Sequence, residues 1–119
     1  MPRRNARDGL PRERVLKIDK DCHVDLLLEQ EYIRQVVNLL RERKLRVSSI
    51  HATRTQHGRH YYIHITPSVD AETANRLQYL LGDDPKRVDY NHVRIASGLV
   101  GWNKLFETVG RQLRTLYQS

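Results

Sequence analysis

The chain has 119 residues, enough for one domain with a single modest core, and 39% of them are hydrophobic. Lysine and arginine outnumber aspartate and glutamate by 21 to 14, and the resulting charge of +7 favours nucleic acid as partner before an anionic membrane surface. The single cysteine excludes a disulfide framework or a paired-cysteine zinc site and is typical of a reducing cytoplasm. Without a bilayer-spanning apolar run or a signal peptide, we expect a cytoplasmic protein with no membrane partner.

Residues 1–14 are predicted to form a disordered basic arm, and residues 15–119 a single domain. The arm contains arginines among prolines and a glycine, a composition typical of disorder. Such an arm either adds phosphate contacts or serves as a solubilising tail.

The segments after the arm predict a strand and a helix. In residues 15–21, Leu16 and Ile18 alternate with polar residues, as in a strand with one apolar face. Residues 29–44 place apolar side chains at positions i, i+3, i+4 and i+7 and end in basic residues, which predicts a helix.

Residues 46–67 predict a β-hairpin whose two-residue turn is His57 and Gly58, because glycine adopts positive φ freely. This turn sets His51 opposite His64. One face is then apolar, and the other carries histidines, hydroxyl groups and a tyrosine: His51, Thr53, Thr55, His60, Tyr62 and His64. We expect Tyr62 to be exposed and Ile63 buried. The polar face is suited to contact with nucleic acid or a metal.

The remainder of the chain is less regular. Residues 68–82 predict a second helix with Ser68 or Asp70 as its N-cap and Gly82 at its end. Residues 83–87 indicate a turn, residues 88–96 are ambiguous between helix and strand, and residues 97–101 indicate a loop.

Apolar spacing over residues 103–117 predicts a terminal helix, with Trp102 as its hydrophobic staple. The resulting order of elements, βαββα(β), predicts an α+β fold. We expect an RRM-like or ferredoxin-like split βαβ sheet, with helices on one face and a C-terminal helix.

Asp19 and Asp21 lie two positions apart on a predicted strand, so both carboxylates project from one face. Paired carboxylates that share Mg²⁺ or Mn²⁺ are how sites for phosphoryl transfer are built, although most such tripeptides are polar strand ends. The ammonium group of Lys20, between them, could compete with the metal. His51 and His64 are an alternative ligand pair for a transition metal, or plain surface neighbours.

An apolar strand ending in Asp-Xaa-Asp, a helix, and a hairpin with Gly-Xaa-His before an aromatic strand follow one another over residues 16–63. This order resembles the archaeo-eukaryotic primase and primase-polymerase superfamily, and residues 84–98 are loosely similar to its later acidic region. The resemblance implies a replication or repair enzyme that takes a nucleotide substrate. Its implied catalytic residues are Asp19, Asp21, His60 and Asp89, and its implied ligands for Mg²⁺ or Mn²⁺ are Asp19 and Asp21. Lys20 and Thr55 depart from the family pattern, and the chain has no cysteine-rich zinc stem.

The candidate nucleic-acid contacts are five basic residues and one aromatic residue: Arg54, Arg59, Tyr62, Lys86, Arg87 and Arg94. We therefore expect a DNA- or RNA-binding protein, either a metal-dependent nucleotidyltransferase or a non-catalytic binder of the same fold. A further alternative is a protein-interaction module, such as a homodimer, whose terminal helix buries Trp102, Phe106 and Leu113 against the partner.

Overall fold

The computed structural model describes residues 13–20, 25–105 and 113–119. Within them the order of elements is β1 (Arg14–Lys20), α1 (Leu26–Glu42), β2 (Arg46–Arg54), β3 (Arg59–Thr66), α2 (Ala71–Leu80), α3 (Pro85–Ala96) and β4 (Arg114–Gln118). The strands form one antiparallel sheet in the order β1-β3-β2-β4. The predicted α+β class is confirmed, and the arrangement is compatible with a ferredoxin-like βαβ fold. In the described residues, no helix is long and apolar enough to cross a bilayer.

Each helix begins after an aspartate that caps it. Asp25 accepts a hydrogen bond from the N–H of Leu28, and Asp70 accepts one from the N–H of Thr73. Asp84 caps α3, and Pro85 then occupies the first turn, where a missing N–H costs nothing. The predicted turn at residues 83–87 therefore contains the start of α3, and the ambiguous residues 88–96 are helical.

The core lies between α1, α2 and one face of the sheet. The sheet contributes alternate residues of its strands: Leu16, Ile18, Ile50, Ala52, Tyr61, Ile63 and Ile65. The helices contribute the apolar stripes of α1 and α2: Ile33, Val36, Val37, Leu40, Ala74 and Leu77. Trp102 is also buried in this cluster, so it is a core residue of the described fold. The other sheet face, which these helices leave uncovered, carries the intervening polar side chains.

The hairpin has a longer loop than the sequence predicts. Arg54 pairs with Arg59, and the N–H of Thr55 donates to the Gly58 carbonyl at 2.9 Å, closing a loop over residues 55–58. The Thr55 hydroxyl accepts from the N–H of Gly58 at 2.9 Å, a side-chain contact that the predicted two-residue turn does not contain. His51 consequently pairs with Tyr62 rather than with His64. Because this shift is by an even number of residues, every side chain keeps its predicted face.

The predicted terminal helix is wrong where the structure describes it. Residues 102–105 have no regular structure and residues 114–118 form β4, while the intervening residues 106–112, with Phe106, lie outside the described part. β4 pairs with β2, placing Thr115 opposite His51. The β-forming residues Thr115 and Tyr117 suit this strand, so tertiary pairing outweighs the apolar spacing that favours a helix.

The folded region begins before residue 15. Arg14 is the first residue of β1, and its Nε donates to the Val69 carbonyl at 3.0 Å. Glu13 accepts from the Ser48 hydroxyl at 2.9 Å and lies 2.8 Å from Nδ1 of His64. These two residues of the predicted arm therefore belong to the fold, and residues 1–12 lie outside the described part.

Candidate nucleic-acid interface

Four side chains on the sheet face opposite α1 and α2 form a row across all four strands. The register aligns Lys17 of β1 with Tyr62 of β3, Tyr62 with His51 of β2, and His51 with Thr115 of β4. Nδ1 of His51 lies 3.0 Å from the Thr115 hydroxyl, and the rings of His51 and His64 meet edge to face with centroids 5.4 Å apart. We call Lys17, Tyr62, His51 and Thr115 the cross-strand row. Tyr62 is half-buried rather than exposed as predicted.

The neighbouring positions bring two of the predicted catalytic residues together. Asp19 pairs with His60 across β1 and β3, and Nε2 of His60 lies 3.4 Å from Oδ1 of Asp19. Both side chains lie on the same sheet face as the cross-strand row. His60 and Thr53 are each only 6% exposed, so the polar face is closed at this end. Asp21 lies outside the described residues.

The side chain of Lys20 lies on the opposite side of β1 from Asp19. Its Nζ is 4.6 Å from the centroid of the Tyr32 ring, in a cation–π contact beside the helix-covered face. The predicted competition of Lys20 for the Asp19 carboxylate is therefore absent from this arrangement.

The described residues do not by themselves make the predicted Mg²⁺ or Mn²⁺ site. Asp89 is exposed on α3, while Arg87 and Asn91, two positions to either side, face the interior, so Asp89 points away from the sheet. Nδ1 of His64 is already occupied by Glu13, which weakens the case for a site at the histidine pair. Within residues 13–20, 25–105 and 113–119, no group of three or more histidine, cysteine, aspartate or glutamate side chains is placed to hold a metal.

Two of the predicted phosphate contacts are instead interior residues. Nε of Arg59 lies 2.9 Å from Oε2 of Glu29, and both side chains are almost fully buried. Glu29 also accepts from the Tyr61 hydroxyl at 2.7 Å and from Nη2 of Arg114 at 3.4 Å, so one carboxylate joins α1 to β3 and β4. Burial, together with Glu29, raises the pKa of Tyr61.

Arg87 is the second interior cation. Its guanidinium group donates to Asp83 Oδ2 at 3.3 Å, to the Asn103 side chain at 2.6 Å and to the Lys17 carbonyl at 3.4 Å. Arg54 and Lys86 are exposed, and Arg94 is half-buried. Of the predicted basic contacts, these last three remain accessible to a phosphate.

Polar side chains cover the outer edge of β1, and of these the sequence analysis singles out Arg87 alone, for phosphate contact. The N–H of Lys17 donates to Gln78 Oε1 and the N–H of Asp19 to Asp83 Oδ1, each at 2.9 Å. Arg87 reaches the Lys17 carbonyl, and Asn103 donates to the Val15 carbonyl and to Gln78. We call Gln78, Asp83, Arg87 and Asn103 the edge network. Their one sequence signal is that Gln78 follows Leu77 on the buried side of α2.

Burial of the edge network shifts the pKa values of its two charged members. Loss of solvent raises the pKa of Asp83 to about 6, even though Arg87 and the hydrogen bonds from the N–H groups of Asp19 and Asp84 favour the carboxylate. The same loss of solvent lowers the pKa of Arg87. The Asp83 oxygens are thus already engaged by protein donors and are not free to hold a metal beside Asp19.

Comparison of the chain with protein-family models, with curated proteins and with solved structures finds no match in any of the three. The resemblance to the primase and primase-polymerase superfamily therefore stays a prediction. The basis for a functional assignment is the arrangement of side chains on the sheet and around its edges.

Proposed function

We propose that this protein binds single-stranded nucleic acid on the sheet face opposite α1 and α2. The observation that carries the proposal is the cross-strand row, in which the register places Tyr62 between Lys17 and His51. Sheets of this class bind single strands by stacking unpaired bases on aromatic rings, while neighbouring cations and donors contact the backbone. Tyr62 lies on β3, an inner strand of the sheet, which suits a base that stacks near the centre of the surface.

The polar groups beside Tyr62 supply hydrogen-bond partners and positive charge for a stacked nucleotide. The His51 ring lies against that of His64 and within hydrogen-bond distance of Thr115, so its orientation is set by neighbouring strands. A fixed ring loses little conformational freedom on binding, which favours affinity. The +7 charge of the chain supports attraction of a phosphate backbone to this surface.

A titration with labelled single-stranded DNA and RNA of about 12 nucleotides tests the proposal. We expect Tyr62→Ala to weaken binding by about 1–3 kcal/mol, because one stacking ring is lost, and Tyr62→Phe to retain most of the affinity. Tyr79→Ala is the matched control, because Tyr79 is an exposed tyrosine on α2. Circular dichroism verifies that the variants are folded.

Two results would contradict the proposal: no binding by the wild-type protein, or equal affinity in folded Tyr62→Ala. The ratio of DNA to RNA affinity identifies the preferred nucleic acid. Binding that weakens steeply with added salt supports phosphate contacts, since neutralised phosphates release counterions.

Nucleotidyl transfer is a second candidate function, favoured by the Asp19–His60 pair on the same face as Tyr62. It ranks second because Asp89, another of the predicted catalytic carboxylates, is exposed on α3 and points away from the sheet. The same oligonucleotide complexes, given nucleotides and Mg²⁺ or Mn²⁺ on a primed template, separate the two functions. Incorporation by the wild type that is lost in Asp19→Asn, with binding retained, would establish transfer.

A further inference from the structure

A groove with a volume of about 580 Å³ lies between α1 and β4. Aliphatic and aromatic side chains from both elements line it: Leu26, Ile33, Val37, Leu116 and Tyr117. Three arginines, Arg34, Arg41 and Arg114, also line it. This combination of an apolar lining with cations differs from the polar cross-strand row.

The groove is electropositive. Among the described residues its one carboxylate is Glu29, which is 3% exposed and already contacts Arg59, Tyr61 and Arg114, so it contributes little negative charge to the opening. Arg41 is exposed, while Arg34 forms a surface ion pair with Glu31, which in such a position contributes little energy. The groove is therefore suited to a ligand that carries negative charge.

One wall of the groove is an edge strand. β4 pairs with β2 on one side and is the last strand of the sheet in the described residues. An edge strand next to a groove is the geometry by which extended peptides join a sheet, with main-chain hydrogen bonds giving affinity and side-chain pockets giving specificity. The lining favours a peptide over a nucleic acid, because its exposed area is more apolar than polar and, among the described residues, Tyr117 is the one aromatic side chain it offers for stacking.

We propose that this groove binds an extended acidic peptide segment with aliphatic side chains, which adds to the sheet beside β4. Its aliphatic side chains pack on Ile33, Val37 and Leu116, and its carboxylates pair with the arginines. The partner is thus a protein with an exposed acidic and aliphatic strand. Thr115 of the cross-strand row also lines the groove, so the two sites share β4, but this proposal does not rest on nucleic-acid binding.

The probe is a labelled peptide of about ten residues, long enough to span β4 with residues to spare. Glutamate and valine take turns at every second position, with serine between them, so that one face of the extended peptide carries both carboxylates and aliphatic side chains. The control peptide has lysine in place of each glutamate. We expect fluorescence anisotropy to show at least about tenfold tighter binding of the acidic peptide, and this preference should shrink as salt is added.

Charge reversal at the groove locates the site. Arg41→Glu should weaken binding of the acidic peptide about tenfold, because it replaces an attraction with a repulsion at an exposed position. Arg76→Glu is the matched control, since Arg76 is exposed on α2 and does not line the groove. Thermal melting verifies that both variants fold.

Hydrogen exchange tests the strand addition itself. We expect amides of β4 to exchange more slowly in the peptide complex, while those of β1 are unchanged. Equal binding of the two peptides, an unchanged affinity in Arg41→Glu, or protection confined to another element would overturn the proposal. Displacement of the acidic peptide by a single-stranded oligonucleotide that depends on Arg41 but not on Tyr62 would assign the groove to nucleic acid instead.

Discussion

The two outer edges of the sheet have different surroundings. At the β1 edge, the N–H groups of Lys17 and Asp19 donate to side-chain oxygens of Gln78 and Asp83, and Arg87 reaches a carbonyl. At the β4 edge, the described residues border a groove rather than a polar network. An edge strand exposes unpaired backbone groups that invite another strand. The comparison shows that side chains of α2, of α3 and of the residues beside them close one edge, while among the described residues the other edge borders a groove.

Closure of the β1 edge requires buried charge. Asp83 is 3% exposed and Arg87 is 9% exposed, and each has lost most of its hydration. Such a pair is costly to bury and costlier to break, because removal of one partner leaves the other charge uncompensated. Substitutions in the edge network should therefore affect stability more than substitutions at the β4 groove.

The largest effect is expected for Asp83→Ala. The variant leaves Arg87 buried without its carboxylate and the N–H of Asp19 without its acceptor, so we expect a loss of about 3–5 kcal/mol in the free energy of unfolding. Urea unfolding measures this loss. Asp89→Ala, an exposed change on α3, is the control and should stay within about 0.5 kcal/mol of wild type. A loss as small as that of the control would show that the network does not stabilise this edge.

The pH dependence of the free energy of unfolding should report the ionisation of Asp83. Burial raises the pKa of Asp83 from 3.8 to about 6, so the folded state binds this proton more tightly than the unfolded state. Stability from this group is therefore greatest below about pH 4 and falls as the pH rises to about 6, by at most about 3 kcal/mol.

Unfolding of wild type and Asp83→Asn at several pH values between about 4 and 7 isolates this contribution. Other groups, such as Glu13 and Asp70 with their lowered pKa values, affect both proteins alike and act in the opposite direction. The wild type should lose stability relative to the variant as the pH rises. Parallel profiles would mean that Asp83 titrates normally.

A smaller effect is expected at the turn that brings Asp83 to the edge. Gly82 has a φ of +96°, and a Cβ there would meet Nζ of Lys20. Gly82→Ala should cost about 1–2 kcal/mol, because a side chain in this region is strained. Gly101→Ala is the control: its Cβ would lie 3.7 Å from Lys104, an ordinary contact, and its φ is not positive. Equal melting temperatures for the two variants would contradict this account of the turn.

The elements that could be predicted from the sequence are those that a pattern of neighbouring residues determines. The alternation around Leu16 and Ile18, the apolar stripe of α1 and the cap at Asp70 identify β1, α1 and α2 to within a few residues. β4 is not determined in this way, because its pairing partner lies far away in β2. The apolar spacing before Tyr117 resembles that of a helix, and only the tertiary contacts decide the outcome.

For the candidate site too, the sequence predicted what local pattern determines and missed what distant residues determine. Strand parity placed Asp19, His60 and Tyr62 on one face, and this prediction is confirmed despite the wrong hairpin register. Burial of Arg59 and Arg87 could not be predicted, because the carboxylates that hold them lie on other turns or other elements. A basic residue in sequence looks the same whether it meets solvent or a buried acid.

The hairpin loop has a consequence for how this protein can vary in evolution. Residues 55–58 join two strands whose side chains, from Ile50 to Ile65, alternate between core and polar face. A shift of the pairing by two residues slides one strand past the other yet leaves each side chain on its own face. A shift by one residue would turn isoleucines to the surface and histidines to the core. Relatives should therefore absorb a single added residue within the loop or in a bulge, while a change of two residues can also be taken up by the pairing itself.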